Sequence, residues 1–277
     1  MATVRELLRC GDDLPGDSAR RDAEILLGHC LDRSRSWLYT WPEREVAVAQ
    51  DQQYRRLLAA RRHGQPIAYL VRQREFWSLP LEVDHHTLIP RPETETLVSL
   101  ALALPLPADA RVLDLGTGSG AIALALASER PGWQVSAVDA SAGALAVARR
   151  NAARLALQRV SFVQSDWYSA VAGERFHLLV ANPPYIDAGD EHLVQGDVRF
   201  EPRTALVAAD AGLADLARLV AGASAQLHAG GWLLLEHGCG QGEAVRDLLR
   251  VAGFGEVTTH NDLAGLERIS GGCLYAE

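Results

Sequence analysis

From Arg111 onward, segments of strand length alternate with segments of helix length, and few folds accept that pattern. Arg111–Leu115, Trp133–Asp139, Val160–Asp166, Phe176–Val180 and Gly231–Glu236 are apolar and β-prone. Between most of them lie helical stretches: Ala121–Glu129, Ala142–Leu155, Leu213–Leu227 and Gln241–Val251. The alternation predicts a parallel, doubly wound α/β sheet that binds ligands beyond the carboxyl ends of its strands. Gly255–His260 and Cys273–Ala276 are β-prone and extend the same sheet.

The chain before this region reads differently. In Asp17–Leu31 the residues Ala19, Ala23, Leu26, Leu27, Cys30 and Leu31 recur at three- and four-residue intervals, which predicts one buried helix face. A second helix is expected over Val46–His63, with Val48, Tyr54, Leu57 and Leu58 inward and Gly64 as its stop. Arg74–Ser78 and Leu79–Val83 predict a hairpin. In Ile89-Pro-Arg-Pro-Glu-Thr-Glu95 two prolines impose an extended entry, and Glu93 and Glu95 fall in the first turn of a helix through Leu104.

Charge and composition narrow the function. The net charge of −8 argues against general affinity for nucleic acid. Residues 1–75 carry 13 arginines against 11 acids, a balance of +2, whereas residues 76–277 carry 14 against 24, a balance of −10. No apolar run has the length of a membrane span, and the first residues lack the layout of a signal peptide. Cys10, Cys30, Cys239 and Cys273 are scattered, which points to a reduced, cytoplasmic setting rather than a disulfide framework. The nine histidines show no metal-ligand spacing, so no metal site is expected.

Four strand ends carry the chemistry. The first predicted strand of the sheet runs into Asp114-Leu-Gly-Thr-Gly-Ser-Gly120. Gly116, Gly118 and Gly120, with Thr117 and Ser119 between them, let a ligand approach the main chain just before a helix N-terminus. Asp139 ends the second strand, where a carboxylate accepts both hydroxyls of a ribose. Asp166 ends the third and offers an acceptor for an adenine amine, and Trp167 after it offers a flat surface for the ring. A glycine turn with two acids at successive strand ends resembles the S-adenosylmethionine-dependent methyltransferases with a Rossmann-like sheet.

The fourth strand stops in Asn182-Pro-Pro-Tyr185. The prolines cannot continue a ladder, but they stiffen the loop. The Asn182 side-chain oxygen and the Pro183 carbonyl then form a pair of acceptors for a planar NH₂ group, whose lone pair is left aimed at a methyl donor. Pro184 adds rigidity, and Tyr185 offers a ring to pack on the planar group. The cradle suits adenine, cytosine, guanine or a glutamine side chain equally.

A wider set of motifs separates these. Gln65-Pro-Ile-Ala-Tyr69, Phe76-Trp77 with Val83-Asp84, Ile89–Glu95, Asp114–Gly120, Ser165-Asp-Trp167, Asn182–Tyr185, Phe200-Glu-Pro-Arg-Thr-Ala-Leu206 and Leu235-Glu-His-Gly238 together resemble the release-factor glutamine methyltransferases (PrmC, also called HemK) over nearly the whole chain. The resemblance implies a seven-stranded class I methyltransferase sheet over residues 91–277, a β-hairpin linker over 74–90 and a small helical bundle over 1–73 that helps grip the substrate. It also implies a cofactor pocket at Gly116–Gly120, Asp139 and Trp167 and a substrate cradle at Asn182–Tyr185. The implied substrate is the Gly-Gly-Gln glutamine of class 1 peptide chain release factors, with S-adenosylhomocysteine as the second product. A sister family methylates a glutamine of a large-subunit ribosomal protein (uL3); its linker motif has Ser in place of Pro92, so Arg91-Pro92-Glu93 favours the release-factor group. A nucleic-acid amino-methyltransferase is a more distant alternative.

Overall fold

In a computed structural model, residues 1–16 and 18–275 are described. The chain forms two compact units, one comprising Met1–Gln73 with Val194–Phe200, the other Arg74–Leu193 with Glu201–Glu277.

The first unit contains α1 (Val4–Arg9), α2 (Ala19–Leu31), α3 (Arg35–Thr40), α4 (Val48–Arg62) and α5 (Ile67–Val71). Thr3 and Glu6 form a reciprocal capping box that starts α1. Leu7, Leu26, Leu27, Leu38, Tyr54 and Leu58 build the core, as the periodicity of α2 requires. Val48 departs from expectation, being 59 % exposed at the first position of α4. Tyr54 and Leu58, four residues apart, set the inward face, and Val48 lies about 120° round the helix from Tyr54. Asp17, where α2 was expected to begin, lies outside the described residues. The later segment Val194–Phe200 joins this unit through Arg61, which donates to Asp197 at 2.9 Å, and Arg199, which donates to the His63 carbonyl at 3.0 Å.

The second unit opens with the hairpin β1 (Arg74–Phe76) and β2 (Leu79–Leu81) and continues with α6 (Thr94–Ala103). The sheet follows: β3 (Arg111–Leu115), α7 (Ala121–Glu129), β4 (Gln134–Asp139), α8 (Ala142–Arg154), β5 (Ser161–Gln164), β6 (Phe176–Ala181), α9 (Ala214–Gln226), β7 (Leu227–Glu236), α10 (Gly242–Val251), β8 (Phe254–Asn261) and β9 (Glu267–Leu274). The strand order is β5-β4-β3-β6-β7-β9-β8. The first five strands in that order are parallel, while β9 runs antiparallel to both β7 and β8. The expected parallel, doubly wound arrangement holds for these five strands; the link between β8 and β9 is too short for a crossover, so those two close as a hairpin. Ala276, the expected end of the last strand, lies outside the described residues.

Both faces of the sheet are covered. Val112, Leu178 and Val180 pack with α6 and α7, whereas Leu113, Leu115 and Leu179 pack with α9 and α10. Burial on both sides explains why these strands are continuously apolar rather than alternating. The chain order reverses between β3 and β6, and the crevice of a doubly wound sheet opens at that point. No helix among the described residues is long and apolar enough to cross a membrane.

Candidate active site

Leu115 pairs with Ala181 across β3 and β6, so Gly116 and Asn182 leave adjacent strand ends at the reversal point. A cavity of about 440 Å³ opens there. Its wall includes Gly116, Thr117, Gly118, Ser119, Asp139, Asp166, Trp167, Asn182 and Pro184. Nine of the twelve site residues expected from sequence therefore converge. Gly120, Pro183 and Tyr185 do not line the cavity.

The glycine turn is shaped from below by Asp114. This fully buried carboxylate accepts the Thr117 hydroxyl at 2.6 Å and the Ala123 amide at 3.2 Å, both through Oδ2. Burial pushes its pKa up to about 7, against the pull of those two donors. The Gly116 and Thr117 amides are taken by the Val138 carbonyl, which docks the turn onto the end of β4. Gly118 has φ +56° with open space where a side chain would stand, so its backbone faces the cavity unobstructed. Gly120 acts structurally. At φ +85° it caps α7, and a Cβ there would come within 3.2 Å of both Leu124 and Ala148. Asn151 on α8 ties the turn from the far side, donating to the Ser119 carbonyl and the Glu82 carbonyl at 2.9 Å each.

Asp139 closes β4. Its Oδ2 accepts the Gly118 amide and its Oδ1 the Ser141 amide, each at 2.8 Å. Burial raises its pKa, and the Ser141 and Gly118 amides oppose that rise. A carboxylate has about four acceptor positions. Two are taken, which leaves one on each oxygen for a vicinal diol. Asp166 and Trp167 lie beyond β5, which ends at Gln164 instead of Asp166. The Trp167 ring stands against Gly116, 3.3 Å from where a Cβ would be, and its Nε1 donates to Asp215 at 3.3 Å. Asp166 is exposed and accepts Arg218 at 3.0 Å, so its carboxylate already has one cation. The glycine cradle, the half-filled carboxylate and the flat ring together fit an adenosyl group.

Asn182 follows β6 and turns its Nδ2 to Thr94 Oγ1 at 3.1 Å, and no protein group among the described residues bonds its oxygen. Tyr185 directs its hydroxyl to Glu236 Oε1 at 3.2 Å. The roof comes from two segments quoted above only as separate motifs. Arg91 pairs with the buried Glu201, whose Oε2 also accepts the Ile89 amide at 3.0 Å. That bond holds Pro90 and Thr94 beside Pro202, Thr204 and Ala205 along the cavity. Sequence reasoning assigned no site role to Thr94, Glu201, Glu236, Asn151 or Arg218. The only signal was the position of Thr94, Glu201 and Glu236 inside the quoted motifs.

Comparison with known proteins finds relatives along nearly the whole chain. Residues 12–71 match the PrmC N-terminal domain, and residues 94–198 match the methyltransferase small domain. The chain is 53% identical over 270 residues to a release factor glutamine methyltransferase of Pseudomonas aeruginosa, covering 98% of each. It is 53% identical to that of Escherichia coli, covering 94% of each, and 49% identical to that of Vibrio cholerae, covering 100% of this chain and 96% of the relative. Among solved structures, a methyltransferase from Pyrococcus furiosus superposes with a TM-score of 0.55 at 18% identity, covering 72% of this chain and 90% of its own. The hMettl16 catalytic domain, solved with an RNA hairpin, gives 0.58 at 16% identity, covering 83% and 82%; at these identities the likeness is one of fold. By its sequence along nearly its entire length, the chain belongs to the release factor glutamine methyltransferase family.

Proposed function

We propose that the protein transfers a methyl group from S-adenosylmethionine to the side-chain amide nitrogen of the glutamine in the Gly-Gly-Gln motif of class 1 release factors, in the cytoplasm. The observation that carries this reading is Asn182, whose amide is anchored at its nitrogen and unbonded at its oxygen beside the cavity. A substrate NH₂ needs acceptors there, and donors would repel it. Bound S-adenosylmethionine supplies an electrophilic sulfonium methyl and departs as S-adenosylhomocysteine. Gly116–Ser119 hold its main-chain contacts, Asp139 its ribose hydroxyls and Trp167 the face of its base, with Asp166 near the exocyclic amine.

An amide nitrogen is a weak nucleophile because its lone pair is delocalised, so orientation matters more than a base. The Asn182 oxygen and the Pro183 carbonyl each take one N–H of the glutamine, directing the lone pair inward; positioning of this kind lowers barriers by several kcal/mol. As the nitrogen bonds to carbon it becomes acidic and gives up a proton already held by one of these acceptors. Pro183 and Pro184 keep the loop from adjusting, and Tyr185, packed against the core and anchored through its hydroxyl, steadies that loop. Residues 1–73 serve as the part that grips the factor, 74–90 as linker and 91–277 as the catalytic domain.

The test is transfer of labelled methyl from S-adenosylmethionine to a purified release factor, with the Gly-Gly-Gln glutamine replaced by alanine as control. Label on the natural factor alone is expected. Label that survives the replacement, or that enters RNA or a ribosomal protein instead, refutes the assignment.

A further inference from the structure

The segment that joins the hairpin to α6 does more than link them. Residues 82–87 run along α8 toward its N-terminal end. Asn151 Oδ1 accepts the Glu82 amide at 2.6 Å, and Arg150 pairs with Glu82 at 2.8 Å and with Asp84 at 3.4 Å. The turn that follows is fixed from within. Asp84 Oδ1 accepts the His86 amide at 2.9 Å, and the Thr87 hydroxyl donates to the Asp84 carbonyl at 3.2 Å. Thr87 itself is buried, which anchors the end of the turn.

These bonds set His86 over Gly143, in the first turn of α8. A Cβ at Gly143 would come within 2.7 Å of the ring's Cγ and Nδ1, so no side chain fits between ring and helix. The φ of Gly143 is not positive, and a glycine inside a helix is less favourable than an alanine. What this glycine provides is room for the imidazole. His86 also lines the cavity, in company with Asp139, Ser141 and Ala144. No group among the described residues bonds either of its ring nitrogens.

The ribose hydroxyls that give their protons to Asp139 keep lone pairs, and an ionised carboxylate has no donor to offer them. An imidazole carries an N–H in either neutral tautomer. The Nδ1 edge of His86 lies against Gly143, so Nε2 is the nitrogen left for a ligand.

We infer that His86 is a further cofactor-binding residue, donating from its ring to a ribose oxygen of the adenosyl group, and that residue 143 is glycine to let the ring take that place. This rests on the reading of Asp139 as the acceptor of the ribose hydroxyls. The segment expected only to link two parts of the chain thereby becomes one wall of the cofactor pocket.

The experiment is calorimetric titration with S-adenosylhomocysteine, with thermal melts to confirm that each variant is folded. His86→Ala and His86→Leu should each raise the Kd about fivefold, the size of one neutral hydrogen bond. Leucine fills the space without a donor, so it separates the hydrogen bond from packing. His86→Gln places an amide nitrogen about where Nε2 stands and should bind within about twofold of wild type. Gly143→Ala should weaken binding about as much as His86→Ala while leaving the melting temperature equal or higher, and in a His86→Ala background it should add nothing. A Kd for His86→Ala equal to that of wild type, with Asp139→Ala weakened, overturns the inference and leaves the ribose reading standing. Wild-type affinity in His86→Leu also overturns it, since the residue would then act by packing alone. Equal weakening by Gly143→Ala in both backgrounds refutes the role given to the glycine. An Asp139→Ala protein that binds as wild type does refutes both readings.

Discussion

Asp139→Ala tests the cofactor pocket most directly. In the wild type each carboxylate oxygen accepts one backbone amide at 2.8 Å, from Gly118 and from Ser141, and keeps one lone pair for a ribose hydroxyl. A hydrogen bond to a charged group contributes about 1.5–3 kcal/mol. Two such bonds, discounted for the water that replaces the ribose in the variant, leave a loss of about 3 kcal/mol. That corresponds to roughly a 150-fold rise in Kd for S-adenosylhomocysteine. Asp139→Asn retains one acceptor oxygen but turns an NH₂ toward one of the two amides, and a rise of about tenfold is expected from losing one partner. Calorimetric titration at pH 8 reads both, with thermal melts confirming the fold. The same carboxylate makes affinity depend on pH: burial raises its pKa, so binding weakens as the pH falls through a value above the ordinary carboxylate range. A Kd for the folded Asp139→Ala protein within threefold of wild type would refute the ribose assignment.

Asp114 carries a carboxyl whose pKa burial lifts to about 7, so the folded state binds a proton that the unfolded state has lost between roughly pH 4 and 7. Its stability contribution is complete below that window and disappears as the pH rises through it; Asp114→Asn should gain up to about 4 kcal/mol relative to wild type on going from pH 4 to pH 8, and a difference in denaturant midpoint that stays constant with pH would contradict this. Arg91→Ala removes one charged hydrogen-bond partner from a carboxylate that is 4 % exposed, and a loss of about 2 kcal/mol in urea denaturation is expected; a loss under 1 kcal/mol would show the roof bond to be incidental. Gly120→Ala combines a positive φ with contacts at 3.1–3.2 Å and should cost about 2 kcal/mol of stability. Gly118→Ala meets no atom within 4 Å, so it should cost about 1 kcal/mol of stability while weakening cofactor binding, which separates a structural glycine from a ligand-facing one.

The parts of the site that could be read from sequence are those governed by local rules. A glycine turn, an acid at a strand end and a proline pair after an apolar run each have a backbone reason that acts within a few residues. The sheet topology then brings them together, because Leu115 and Ala181 are register partners. Local rules fail where the answer depends on a neighbour. The sheet edge formed by β8 and β9 is antiparallel because of the length of one link, which apolar content does not disclose. Val48 looked inward because it is apolar, but a lone apolar residue is oriented by the helix phase that Tyr54 and Leu58 set.

Amide orientation is the extreme case of this dependence. Asn182 could be placed at the cavity from its strand alone. Which of its two ends is left unbonded there depends on Thr94, 88 residues earlier, whose Oγ1 accepts the amide nitrogen. Thr94 has no pattern of its own that reveals this: a threonine at a helix start suggests a cap. Only burial changes that reading, since a hydroxyl at 4 % exposure must find its partner among the groups it touches.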